Sequence, residues 1–82
     1  MEQKSIESIE PILNELKEDA AVPKNVKLKI DRVIGILKKN SETTIKVSKA
    51  LNELEEVADD VNLESYARTQ VWSVISALEK IK

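Results

Sequence analysis

The chain has 82 residues, one Gly, two Pro, no Cys and no His, with a formal charge of −2. Such a length makes one small domain, residues 1–82. The missing residue types exclude disulfides, thiolate metal sites and any Ser–His or Cys–His nucleophile, and the scarcity of turn formers leaves little room for a sheet.

Charged residues are 34% of the chain and apolar residues 41%, a balance suited to a folded domain rather than a disordered one. No apolar run approaches the roughly 20 residues that span a bilayer, and the first ten residues, MEQKSIESIE, lack a signal-peptide core. The expectation is a cytoplasmic protein with no membrane partner. Charge is unevenly spread. Residues 1–20 carry six acids and two Lys, whereas residues 21–40 carry five Lys, one Arg and one Asp. An acidic helix lying beside a basic one explains this without a ligand.

Four amphipathic helices are predicted. In the first, Ile6, Ile9, Leu13, Leu16 and Ala20 recur at steps of three and four. Ser5 or Ser8 is the expected cap, and Pro11 predicts a boundary or small kink. The second runs from about Pro23 to Lys39 and buries Val26, Ile30, Val33 and Leu37. Lys38 and Lys39 suit the negative end of its dipole, Asn40 a left-handed closing residue, and Ser41 the next cap. The third buries Val47, Leu51, Leu54 and Ala58, with Ala50 and Val57 widening the stripe. Asp59-Asp60-Val61-Asn62 is the longest loop, with Asn62 as cap. The fourth helix buries Ala67, Val71, Val74, Leu78 and Ile81.

The chain nearly repeats itself. LNELKEDA at 13–20 and LNELEEVA at 51–58 share six of eight residues at an offset of 38. Val22, Val26, Ile30, Val33, Ile34 and Leu37 match Leu63, Ala67, Val71, Val74, Ile75 and Leu78 at an offset of 41. The change of offset predicts three extra residues around Asp59-Asp60-Val61. A period near 40 predicts two αα-hairpins, about 5–40 and 41–82, closing as an all-α four-helix bundle. Two hairpins with a thin aliphatic core must cover each other or find a second copy, so a homodimer is an expected state.

Trp72 lies off the stripe of its helix, where its repeat counterpart is the charged Asp31. Arg68 stands one turn earlier, in place to stack on it, with Thr69 beside it. Arg and Trp are common at the centres of protein interfaces. Leu28 lies opposite the core stripe of the second helix near Gly35 and Ile36, a small-residue face fit to meet another subunit. The plainer account makes Trp72 an edge of the core and Leu28 a scattered surface residue. Lys24, Lys27 and Lys38 share one side of the second helix with Arg32 at its edge, in place for phosphate contacts. Asp31 interrupts that stripe, and few aromatics are present to stack bases. No catalytic residue, metal ligand or cofactor motif is found. Asp59, Asp60, Asn62 and Glu64 fit loop capping better than a cation loop. Glu15, Asp19, Glu53 and Glu56 lack the His that a carboxylate di-metal bundle requires.

Val22-Pro23-Lys24-Asn25-Val26-Lys27 and Arg68-Thr69-Gln70-Val71-Trp72 resemble segments of a small archaeal family, uncharacterised protein family 0147. Its members carry V-P-R-N-I-R, R-T-x-I-W and a closing helix like SALEKIK at 76–82. The resemblance covers nearly the whole chain. It implies an archaeal source and an all-helical fold, and no activity. Family members usually have a Pro at the place of Glu64 and none at that of Pro11. These departures leave the start of the fourth helix less rigid and bear on where the first begins. The reading is a non-enzymatic protein-interaction module or small subunit acting through Trp72, Arg68, Thr69, Leu28 and Ile36. The alternative is a nucleic-acid-associated protein using Lys24, Lys27, Arg32 and Lys38.

Overall fold

The computed structural model describes residues 2–81, with side chains from Ile6 onward. Four helices follow one another: α1 (Glu2–Glu18), α2 (Lys24–Lys38), α3 (Thr43–Ala58) and α4 (Ser65–Ile81). Connections of four to six residues make sequential helices antiparallel neighbours. Each helix packs on the one before it and the one after it, and α4 closes the ring onto α1. The result is an up-down-up-down four-helix bundle.

The predicted apolar stripes are the core. Ile6, Ile9, Leu13 and Leu16 of α1 meet Val26, Ile30, Val33 and Leu37 of α2 together with the stripes of α3 and α4. Ile34 and Ile75 widen the stripes of α2 and α4. Val22 and Leu63, one on each loop, are buried at the same end of the bundle and plug it. Ala20 is not part of the core. α1 has ended by then, and Ala20 is exposed in the turn. Ile36 and Ile81 are partly buried against the core edge.

Several helix ends differ from expectation. α1 begins at Glu2, so Ser5 and Ser8 lie inside it, and Pro11 interrupts nothing. Pro11 is exposed and about 180° around the helix from Leu13 and Leu16, so the carbonyl that loses its N–H partner faces water. Pro23 stands just outside α2 as its N-cap, with ψ of 148°. Asn40 does not close α2 in the left-handed region. Lys39 ends the helix in extended backbone (φ −65°, ψ 146°), and no described residue has positive φ. Ser41 does not cap α3. Glu42 holds that position without a side-chain bond. Asn62 does not cap α4, which starts three residues later.

The repeat is more regular than its sequence echo suggests. In the first loop the N–H of Asp19 donates to Leu16 O, that of Val22 to Asp19 O and that of Lys27 to Pro23 O. In the second, Asp60 donates to Val57 O, Leu63 to Asp60 O and Arg68 to Glu64 O. Every one of these pairs recurs at an offset of 41. The loops occupy 19–23 and 59–64, so three extra residues are not inserted there. The eight-residue echo at 38 is out of structural register by three residues. A step of three nearly preserves a helix face, which is why the echo looked sound. In space Leu13 corresponds to Leu54 and Leu16 to Val57.

The same symmetry governs two side-chain clasps. Asp19 accepts the Ala21 N–H at 2.9 Å through one oxygen and the Tyr66 hydroxyl at 2.6 Å through the other. Asp60, its mate, accepts the Asn62 N–H at 2.8 Å and the Asn25 amide at 2.8 Å. Asn25 and Tyr66 are themselves mates at 41. Each loop therefore orders itself with one carboxylate oxygen and grips the first turn of the other hairpin's second helix with the other.

Two measurements test this account. Leu54 is fully buried, and Leu54→Ala is expected to cost about 2–5 kcal/mol in denaturant unfolding. The Tyr66 hydroxyl first, then the Ala21 N–H, holds Asp19 below the ordinary 3.8. The Asn62 N–H, then the Asn25 amide, does the same for Asp60. Depressed carboxyl values stabilise the fold fully above 3.8, and this is lost as pH falls through the native values. Tyr66 is held above 10.0 by Asp19, so its contribution is complete below 10.0 and lost as pH rises through its native value. Thermal unfolding followed across pH should show a plateau with both flanks falling. Asp19→Asn with Asp60→Asn should flatten the acid flank, and Tyr66→Phe the alkaline one.

Candidate interaction surface

The residues singled out on the helices fall on two opposite sides of the bundle. An offset of 41 carries Lys24, Lys27, Leu28 and Asp31 onto Ser65, Arg68, Thr69 and Trp72. The Leu28 surface and the Trp72 surface are thus one place on the fold, built twice with different chemistry.

On the α4 side, Trp72 is 48% exposed. It lies about 120° around the helix from the core stripe. Thr69 is exposed beside it, with its hydroxyl donating to the Ser65 carbonyl at 3.0 Å. Ser73 does the same to Thr69 at 3.2 Å. These bonds keep the small side chains against their own helix and leave the indole standing proud.

Arg68 has a different job from the expected stacking partner. Its Nε donates to Ala58 O at 3.0 Å and an Nη to Asp60 O at 2.7 Å. Ala58 O closes α3 and Asp60 O lies two residues beyond it, at the negative end of the helix dipole where a cation is favoured. A planar guanidinium reaches two carbonyls at once, which the Lys27 ammonium at the matching place does not. The signal available in the sequence was the repeat itself, which sets Arg68 one turn into the helix that follows the longest loop.

A second such device was not anticipated. Lys46 is only 7% exposed, and its Nζ donates to Lys39 O at 3.3 Å. The stem of Lys46 lies along the core while its head reaches the C-terminal end of α2. Lys46 does what the left-handed Asn40 was expected to do, which is to satisfy the end of that helix.

On the α1–α2 side, Leu28 is 66% exposed in an open hollow of about 330 Å³ lined also by Lys17, Lys24, Lys27 and Asp31. Lys17 and Asp31 pair across it at 3.0 Å. Gly35 sits in open space on the same face. Ile36 does not belong to this surface, because it turns towards the core. Lys24 and Lys38 are exposed and Lys27 half-buried, none in an ion pair among the described residues. Arg32 leaves the basic stripe and leans to Glu53 of α3 at 3.5 Å. Lys29 similarly pairs with Glu56 at 3.0 Å. The carboxylates of Glu53 and Glu56 are therefore spent on the α2–α3 surface rather than gathered inside the bundle. Among the described residues, no group of three metal-ligating side chains forms.

A small antiparallel bundle with its helix ends tied down by Arg68 and Lys46, and with one indole left outside, is the class of object these features define. The chain belongs to the Uncharacterised protein family (UPF0147), which matches residues 1–81. A UPF0147 protein of Pyrococcus horikoshii is 36% identical over 81 residues, covering 93% of this chain and 87% of its own. One from Methanocaldococcus jannaschii is 32% identical over 72 residues, covering 87% and 77%. The crystal structure of a protein of unknown function, MMP1188, superposes with a TM-score of 0.88 at 30% identity, covering 95% of this chain and 90% of the other. The resemblance read from the VPKNVK and RTQVW segments thus holds over the whole chain, in archaeal relatives and in fold.

Because Arg68 serves the loop and Trp72 the surface, the two should separate in stability measurements. Arg68→Met is expected to cost roughly 1–3 kcal/mol by taking the donor from Ala58 O and leaving Asp60 O with only the Leu63 N–H. Trp72→Ala should cost less. Chemical denaturation of the two variants side by side checks this, and equal losses would assign Trp72 to the core edge.

Proposed function

We propose that the chain is a non-enzymatic interaction module, a small helical subunit that docks on a protein partner through the outer side of α4. The observation carrying this reading is the half-exposed Trp72, at a position where the other hairpin has Asp31. An indole left in water is an apolar surface awaiting burial, and Trp is enriched at the anchoring centres of interfaces. Thr69 and the serines around it present a low surface that lets a partner approach the ring. Arg68 contributes by fixing the loop beside this surface. The absence of His and Cys supports a role without acid–base or thiol chemistry. No helix among the described residues is long and apolar enough to cross a membrane, and a cytoplasmic site of action is part of the proposal.

A second reading is favoured by three lysines of α2 that form no ion pair among the described residues. Lys24, Lys27 and Lys38 form a short basic row suited to phosphates. The row loses Arg32 to Glu53 and has Asp31 in its middle, so the interaction reading is preferred.

The test is affinity capture from an extract of an archaeal cell, using the tagged chain and its Trp72→Ala variant. Proteins retained by the first and lost with the second are expected, and undiminished retention by the variant would defeat the proposal. Titration of labelled mixed-sequence RNA and DNA at low salt should stay flat. Saturable binding that disappears on raising the salt, and with Lys24→Glu, would move the assignment to the second reading.

A further inference from the structure

We infer that the outer face of the α1–α2 hairpin binds a second copy of this chain, α1 of each copy lying against α2 of the other. The inference concerns the side of the bundle opposite Trp72 and does not rest on the role given to that residue.

The Lys17–Asp31 pair identifies which flanks of α1 and α2 look outward together. Helical spacing places Glu7, Glu10, Asn14 and Glu18 on that flank of α1, and Lys24, Lys27, Leu28, Gly35 and Lys38 on that flank of α2. With Lys17 and Asp31 neutralising each other, three carboxylates remain on one helix and three ammoniums on the next. Among the described residues none of the six is in an ion pair. A face that is acidic along one edge and basic along the other is complementary to itself. Turning a second copy about an axis parallel to the helices sets each acidic edge on a basic one.

Heights along the bundle agree with this. The antiparallel hairpin puts Glu18 level with Lys24, and Glu7 near the level of Lys38, so the same rotation brings unlike charges together at both ends. Leu28, 66% exposed, then lies against α1 of the other copy near the loop end, the open hollows of the two copies face each other across the axis, and Gly35 leaves the approach unobstructed. The opposite side of the bundle lacks this pattern. Glu7, Glu10 and Glu18 correspond there to Ser48, Leu51 and Asp59, and Lys38 corresponds to Glu79. One self-complementary face per chain gives a closed dimer rather than a filament.

The size of the face sets the strength. The bundle measures 33 × 19 × 19 Å, so one side covers on the order of 600 Å² per copy, at the low end for stable complexes. A dimer of micromolar or weaker affinity, sensitive to salt, is expected.

Sedimentation equilibrium on the full chain over a wide concentration range provides the test. Association is expected at about 50 mM salt and should weaken at least ~10-fold at about 500 mM. Lys24→Glu with Lys27→Glu should abolish self-association, as should Glu7→Lys with Glu10→Lys and Glu18→Lys. Equimolar mixing of these two charge-reversed chains should restore a dimer. Leu28→Ala should weaken it, and Trp72→Ala should leave it unchanged. Circular dichroism confirms that each variant is folded. A wild-type chain that stays monomeric at millimolar concentration and low salt overturns the inference. So does a dimer that survives both charge reversals, or one lost with Trp72→Ala.

Discussion

The bundle depends on mutual cover: each hairpin has an apolar side that only the other hairpin conceals. Apart from the stem of Lys46 at one end, the buried set among the described residues is aliphatic, from Ile6 to Leu78, with no aromatic ring in it. Such a core gains its free energy from the area removed from water and from close packing of branched side chains. It offers no polar group that would dictate register. Register comes instead from the ends, where Val22 and Leu63 plug the same layer and the two loop aspartates reach across. Packing decides that the hairpins associate, and the clasps decide how far along one slides on the other.

The helices were legible because their stripes are long and strictly periodic, and burial follows periodicity. Their ends were less so. Ser41, Asn62 and Asn40 are residue types that favour caps and turns, yet α3 and α4 start without them and α2 closes in extended backbone. The carbonyls at the ends of α2 and α3 are instead met by Lys46 and Arg68, seven and eight or more residues away in sequence and adjacent only after the bundle has formed. Local capping preferences do not register a donor supplied by a neighbouring helix. Pro11 shows the converse: a strong local signal was overridden because it lies on the watered side of α1.

The candidate surface was partly legible for a similar reason. The helical count placed Trp72 and Leu28 outside, and both are outside. It also grouped Arg68 with Trp72, and Ile36 with Leu28, since neighbours on a wheel look alike until the adjoining helix is added. The repeat alignment held the needed information. Read at 41 along its whole length, it pairs Arg68 with Lys27, beside a loop, and sets Trp72 against Asp31. The more obvious identity, six matches in eight at 38, pointed to the wrong register.

The two clasps sit at one end of the bundle, and each takes its carboxylate from one hairpin and its donor from the other. Neither half owns a complete latch. Unhooking Asp19 from Tyr66 loosens the loop that positions Asn25, and Asn25 belongs to the remaining latch. A chain wired in this way has little use for a half-open state: the halves of the duplicated unit stay folded together or come apart together.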